Sequence, residues 1–201
     1  MNSLTSNQVT LQSYELGINE YITATAAETS GTIKTWIDHF LLLVPPHARI
    51  MEVGSAHGRD AQYIESCGFS IERTDAATGF VRLLRDKGHT ARKFNVLTDN
   101  FTSDYDLIFA NAVFLHFTPD ELEKVLKKIH QNLSENGILA FSVKFGEGEE
   151  WTTAKVGNPR YFCYWKKETI QPLLESVGFE VNRMTENEKF LQITAKRKSL
   201  H

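Results

Sequence analysis

Glu52 sits in a short, mostly apolar run, Ile50 to Val53, and Gly54, Ser55, Ala56, Gly58 and Arg59 link that run to a segment in helical register carrying Ala61, Tyr63 and Ile64. An acid, a loop of small residues and a helix start are the parts with which an open α/β sheet holds a nucleotide. Glycine matters there because no Cβ stands between the backbone N–H groups and the ligand. The spacing narrows the ligand. A dinucleotide fingerprint begun at Gly54 needs small residues at its third and sixth positions; Ala56 meets the first requirement and the bulky Arg59 fails the second. A second strand, Phe69 to Asp75, ends in a carboxylate suited to accept hydrogen bonds from both hydroxyls of a ribose or, equally, to cap a helix. Ala76 and Ala77 leave room beside it for an adenine ring, while Glu72 and Arg73 are expected on the solvated side of that strand.

Two further strand ends carry usable groups. Arg92 to Val96 closes on Asn95, which fits either a turn or a contact to a base. Asp104 to Phe117 passes through Ala110-Asn111-Ala112, where small side chains let the backbone approach a ligand, and then reaches His116. An imidazole just past a strand end can take a proton from an acceptor, or it can simply pack. His57, inside the first loop, is expected to be exposed. After the fifth strand, Lys144 to Trp151 and Arg160-Tyr161-Phe162 mix charges with aromatics. That pattern suits a substrate-facing loop, or a solvated one pinned by Trp151 and Phe162.

The elements that must position these groups are legible from periodicity. Leu11 to Val44 reads as two helices: Tyr14, Ile18, Tyr21 and Ile22 mark the first, and Ile33, Trp36, Ile37, Phe40 and Leu41 the second. Pro45-Pro46 ends that helix. Strands are expected near 50–54, 70–75, 91–96, 106–111, 137–145, 178–185 and 189–196, most of them separated by helices. Thr118-Pro119-Asp120-Glu121 is a helix start with an N-cap, a first-turn proline and the glutamate of a capping box, and Gly137 is placed to close that unit. The result is a doubly wound, Rossmann-like α/β sheet of seven strands, mostly parallel, with an antiparallel C-terminal hairpin and N-terminal helices. One domain spans 1–201: a helical cap over 1–44, a core over 45–201 and an insert near 144–165.

The pattern E-x-G-x-A-x-G resembles the first motif of class I S-adenosylmethionine-dependent methyltransferases, [DE]-x-G-x-G-x-G, with Ala56 in place of the middle glycine. Asp104 to His116 is similar to the family's F-D-x-I-x-x-x-x-x-x-H, and K-x-G-x-G-E and R-[YW]-F segments match Lys144 to Glu149 and Arg160 to Phe162. The resemblance covers Tyr14 to Lys198. It implies that Glu52, Gly54, Ser55, Ala56 and Gly58 form the loop around the methionine moiety of S-adenosylmethionine, with Arg59 toward its carboxylate or in a surface ion pair. It implies Asp75 and Ala76 at the adenosine, Asn95 and Val96 at the base, and Asn111 and Ala112 at the methionine end. The resemblance also implies that Tyr21 and Tyr14 fold over the cofactor; ordinary packing of an amphipathic helix is the alternative for both. His116 is the candidate base; Lys144, Glu149, Arg160 and Tyr161 are candidate acceptor residues. Direct displacement at the sulfonium carbon needs no metal.

Composition bounds the alternatives. The formal net charge is -3, and the basic run Lys196-Arg197-Lys198 is isolated, which disfavours a general nucleic-acid binder. The [DNS]-P-P-[YFW] motif of base-amine methylation is absent, so a small-molecule acceptor is expected, although a protein acceptor stays open. No apolar run approaches a membrane span, Cys67 and Cys163 lack metal-ligand spacing, and cytoplasmic residence as a monomer or homodimer is the expectation. A non-catalytic cofactor-binding module is the competing reading; a nicotinamide-dependent oxidoreductase is disfavoured by Arg59 and by the lack of a Tyr-x-x-x-Lys pair.

Overall fold

A computed structural model describes residues 4–187 and 189–198. Three helices come first: α1 (Ser6–Leu16), α2 (Ile18–Thr23) and α3 (Gly31–Leu41). Then β1 (Ile50–Val53), α4 (Arg59–Ser66), β2 (Ile71–Asp75), α5 (Thr78–Asp86) and β3 (Ala91–Lys93) alternate. They are followed by β4 (Tyr105–Ala110), a short 3-10 turn at Phe114–His116, α6 (Pro119–Asn132) and β5 (Leu133–Phe145). The chain closes with β6 (Glu149–Thr152), β7 (Arg160–Trp165), α7 (Lys167–Val177), β8 (Phe179–Glu186) and β9 (Phe190–Arg197).

Strands β3-β2-β1-β4-β5 run parallel, and β9 joins β5 antiparallel along Ile138 to Lys144 with β8 outside it. This is the expected seven-stranded arrangement. Two more strands extend it: β7 pairs with the end of β5 at Lys144 and Phe145, and β6 pairs antiparallel with β7. The insert is therefore a hairpin rather than a loop. Its R-Y-F-C-Y-W run is almost wholly buried, as a strand covered on both faces must be. The N-terminal segment also differs from expectation, having three helices where two were read, because the chain breaks at Gly17 and again between Ala24 and Ser30.

Period-two alternation on β4 sorts the core into two layers. Leu107 and Phe109 face α3 and α4 with Trp36, Ile37, Phe40 and Ile64; Ile108 and Ala110 face α6 and α7 with Leu122, Leu126, Ile129 and Leu174. The rings of Trp36 and Phe40 meet Phe109 at 5.4 and 5.1 Å. Each such side chain contributes roughly 1.5–3 kcal/mol by leaving water. The Thr118 capping box forms as expected, and Leu133 ends α6, four residues before Gly137. Arg73 corrects an expectation. It is buried rather than solvated, because its two terminal guanidinium nitrogens donate to Glu65 of α4 at 2.6 and 2.7 Å. Glu72 is half-buried and holds Arg92 and the Tyr105 hydroxyl.

Helix α1 docks by its polar face. Asn7, Thr10 and Ser13 are buried while Leu16 is exposed. Thr10 Oγ1 accepts the Tyr161 N–H at 3.1 Å and Ser13 Oγ donates to the Pro159 carbonyl at 2.6 Å. Glu15 accepts the first N–H groups of α5, from Thr78 and Gly79, and so replaces the side-chain cap that Ala77 cannot provide. Glu15→Ala is expected to lower stability by about 1 kcal/mol and to speed amide exchange across residues 6–23. Unchanged exchange there would mean that α1 is held without the cap.

Candidate functional site

Chain order reverses between β1 and β4, and crevices at such a switch point open at the carboxyl ends of the strands. The loop after β1 is shaped by close approach. Gly54 has φ +77°, and a Cβ there would lie 2.5 Å from Val113 Cγ2. Ala56 has φ +48°, a left-handed conformation that an alanine adopts at a cost of ~1–2 kcal/mol. Asp75 holds it. Its Oδ2 accepts the Ala56 N–H at 2.9 Å and its Oδ1 accepts the Ala77 N–H at 2.8 Å. Burial pushes the Asp75 carboxyl up to about 6, against the downward pull of those backbone donors.

Two adjoining cavities meet at this loop and share Tyr21, Gly54, Ala56, Asn111 and Ala112. The first has about 660 Å³ of empty space and is walled by Tyr14, Phe80, Phe94 and Val96, with Asp75, Ala76, Asn95 and His116 also lining it. The second, about 960 Å³, is polar: Glu52, Ser55, Arg59, Asp60, Ser142 and Lys155 line it. Gly58 lines neither; it starts α4 in a left-handed conformation, and a Cβ there would meet Leu84. Lys144, Glu149, Arg160 and Tyr161 also line neither, although Arg160 reaches the wall of the first cavity through Tyr14.

Glu52 is buried, and its Oε2 has no partner among the described residues. Burial first, then the Asp60 charge, pushes its carboxyl up to about 8. Sequence reasoning passed over Asp60, which joins three elements. Its carboxylate accepts Thr29 Oγ1 at 2.5 Å and Asn111 Nδ2 at 2.8 Å, and it lies 3.2 Å from Arg59 Nε. Arg59 therefore has an ion-pair partner while lining the cavity. Ser142, also missed, donates to Asn111 Oδ1 and accepts the Ala112 N–H, both at 2.8 Å, which fixes the turn after β4. Asn95 serves a turn and a tie at once: its Oδ1 accepts the Leu97 N–H and its Nδ2 donates to Asn7 of α1. His57 is half-buried against Tyr21 rather than exposed.

His116 is buried and bonded at both nitrogens. The Tyr161 carbonyl, 2.7 Å from Nδ1, can only accept, so Nδ1 carries the proton and Nε2 accepts the Tyr14 hydroxyl at 2.8 Å. Tyr14 in turn accepts from Arg160 Nη1 at 3.0 Å. Burial drives the imidazole down to about 3. Its lone pair is committed to Tyr14, so in this arrangement the neutral ring orients the Tyr14 hydroxyl.

Together these features define a doubly wound α/β protein with a crevice at the carboxyl ends of its parallel strands. The sequence profile described as a methyltransferase domain matches residues 26–183, and the chain belongs to that family, the class I S-adenosylmethionine-dependent methyltransferases. Solved structures share the fold. The CcbJ methyltransferase from Streptomyces caelestis aligns with a TM-score of 0.75 at 12% identity, over 93% of this chain and 98% of its own. A Burkholderia thailandensis 1,6-didemethyltoxoflavin-N1-methyltransferase, solved with 1,6-didemethyltoxoflavin and S-adenosylhomocysteine, aligns at 0.72 and 19% identity over 99% and 92%. A Mesorhizobium loti S-adenosylmethionine-dependent methyltransferase aligns at 0.66 and 16% identity over 83% and 99%. The residues present fit this cofactor: a carboxylate beside an apolar cavity suits a ribose, and the orphaned Glu52 oxygen suits an ammonium group. No helix is long and apolar enough to cross a membrane, and no metal-binding group of His, Cys, Asp or Glu occurs among the described residues.

Ala56→Gly is expected to raise stability by up to about 1 kcal/mol, because glycine adopts the left-handed conformation without strain. A loss of that size in urea unfolding would mean that the methyl group contributes packing that outweighs the strain.

Proposed function

We propose that this enzyme methylates a small molecule by direct displacement. The observation that carries the proposal is the pair of cavities joined at the Gly54–Ala56 loop, one apolar and one polar. S-adenosylmethionine supplies an electrophilic methyl group on a sulfonium, and the neutral thioether is the leaving group. The chain's own task is alignment. Asp75 accepts from the ribose hydroxyls, Ala76, Asn95 and Val96 border the base, and Gly54, Ser55, Ala56, Asn111 and Ala112 border the methionine end. Glu52 takes the ammonium group and Arg59 the carboxylate, while Gly58 keeps the loop close to α5. Tyr14 and Tyr21 present aromatic faces to the sulfonium, an attraction of ~0.5–2 kcal/mol.

His116 acts as a positioning residue. It stays neutral well below physiological pH, so the Tyr14 hydroxyl keeps its acceptor throughout the working range. The acceptor's proton then leaves by solvent or by a group other than His116. Lys144, Glu149, Arg160 and Tyr161 flank the acceptor side on the hairpin insert. The net charge of -3 favours a small acceptor over nucleic acid.

Calorimetric titration with S-adenosylmethionine, S-adenosylhomocysteine and NAD tests the site. Only the adenosyl ligands are expected to bind, and Asp75→Ala should weaken them at least about tenfold, the worth of a charged hydrogen bond. Binding of NAD instead would overturn the assignment. The sign of the pH dependence follows from Asp75, whose acceptor capacity falls as it protonates. Affinity for S-adenosylhomocysteine should decline as pH drops through about 6, and a flat profile between pH 5 and 8 would contradict the role of Asp75. Methyl transfer from labelled S-adenosylmethionine to a panel of small acceptors tests the chemistry. Tight cofactor binding with transfer only to protein or nucleic acid would refute a small acceptor.

A further inference from the structure

An aromatic wall runs from Tyr21 through Tyr14 and His116 to Phe162, with successive ring centroids 5.7, 5.4 and 4.6 Å apart. Three cations stand on it. Lys155 Nζ lies 4.0 Å from the Tyr21 ring, Arg160 lies 5.3 Å from Tyr14 and 5.0 Å from Phe162, and Lys144 Nζ lies 5.9 Å from Phe162 and 5.1 Å from Phe190. Among the described residues, no carboxylate forms an ion pair with any of the three. Arg160 is only 5% exposed, yet its hydrogen bonds go to a phenol and the Ala154 carbonyl, and its Nε has no partner among the described residues. A buried guanidinium without a counter-charge is costly, so the arrangement calls for an anion from outside the chain. Glu150 partly offsets Lys144, but it is exposed and its carboxylate is engaged by the Tyr164 hydroxyl. Lys155, which lines the polar cavity, has Arg160, Arg59 and Lys144 as its charged surroundings; burial and those three cations push its ammonium down to about 8.

Building on the methyltransferase reading of this crevice, we infer that the methyl acceptor carries an anionic oxygen group, a carboxylate or phosphate, which Lys155 binds with Arg160 and Lys144 behind it while its body lies against Tyr21, the ring of the wall that lines both cavities. The anion supplies the missing counter-charge and orients the acceptor. The same field disfavours a cationic acceptor.

The test begins with S-adenosylhomocysteine, which must bind the wild-type protein; failure there would overturn the cofactor site and this inference with it. The saturated complex is then titrated with benzoate, phenyl phosphate, inorganic phosphate and the neutral isostere benzamide. At least one anion is expected to bind about tenfold tighter than benzamide, the scale of one charge-assisted contact. Benzoate and phenyl phosphate, compared with inorganic phosphate, separate a carboxylate from a phosphate preference. Lys155→Met and Lys144→Met should each weaken the anion severalfold while leaving S-adenosylhomocysteine affinity unchanged. Equal binding of benzamide, or no anion binding to a saturated complex, would refute the inference. Weaker S-adenosylhomocysteine binding by Lys155→Met would assign that cation to the cofactor's own carboxylate, which also refutes it.

Discussion

The crevice depends on a single buried carboxylate. Asp75 is the last residue of β2, yet both its oxygens are committed to backbone N–H groups of two different segments, Ala56 in the loop after β1 and Ala77 at the start of α5. An asparagine could accept only one of these bonds. The pair of bonds holds Ala56, which lines both cavities, in its left-handed conformation. Holding a carboxylate out of water raises its pKa, and the backbone donors return only part of that cost. A ligand that donates to the remaining lone pairs lowers the energy of the ionised form further, so the strain at Asp75 favours ligand binding.

The roof over the crevice is built on another principle. Helices of the core bury leucine, isoleucine and phenylalanine, whereas α1 turns Asn7, Thr10 and Ser13 inward and leaves Leu16 in water. Contacts of that kind are directional and individually modest, roughly 0.5–1.5 kcal/mol each. They fix where Tyr14 and Tyr21 stand without committing the helix to the core as firmly as α3 is committed by Trp36 and Phe40. Through Tyr14, the roof, the turn after β4 and the hairpin insert meet in one hydrogen-bonded line from Arg160 to His116.

Most of the core was legible because its signals are local. The alternating strands, the Thr118 capping box and the small-residue loop each follow from residues close together in sequence. What escaped depends on distant partners. The polar face of α1 carries no hydrophobic period, so its docking shows only when Pro159 and Tyr161 arrive beside it. Arg73 looked solvated because Glu65 lies one helix earlier. Asp60 stood in the motif but drew no attention, since its role comes from Thr29 and Asn111. His116 could be read from sequence as a base or as a packing residue; its tautomer could not, because the Tyr161 carbonyl that keeps the proton on Nδ1 and leaves Nε2 to accept from Tyr14 lies 45 residues away. The hairpin of β6 and β7 was read as loop because its charges and glycines masked a short buried strand.

These constraints divide the crevice into two sides. The ends of β1, β2 and β4 line one side, where we propose the adenosyl ligand sits, and the insert with α1 and α2 closes the far side with aromatic rings and cations. The most direct measurement is the titration of the Asp75 carboxyl carbon by NMR, with and without S-adenosylhomocysteine. A free-state pKa of about 6 is expected, falling when the ribose hydroxyls donate to the carboxylate. A carboxyl that titrates in the ordinary aspartate range and ignores the ligand would contradict it.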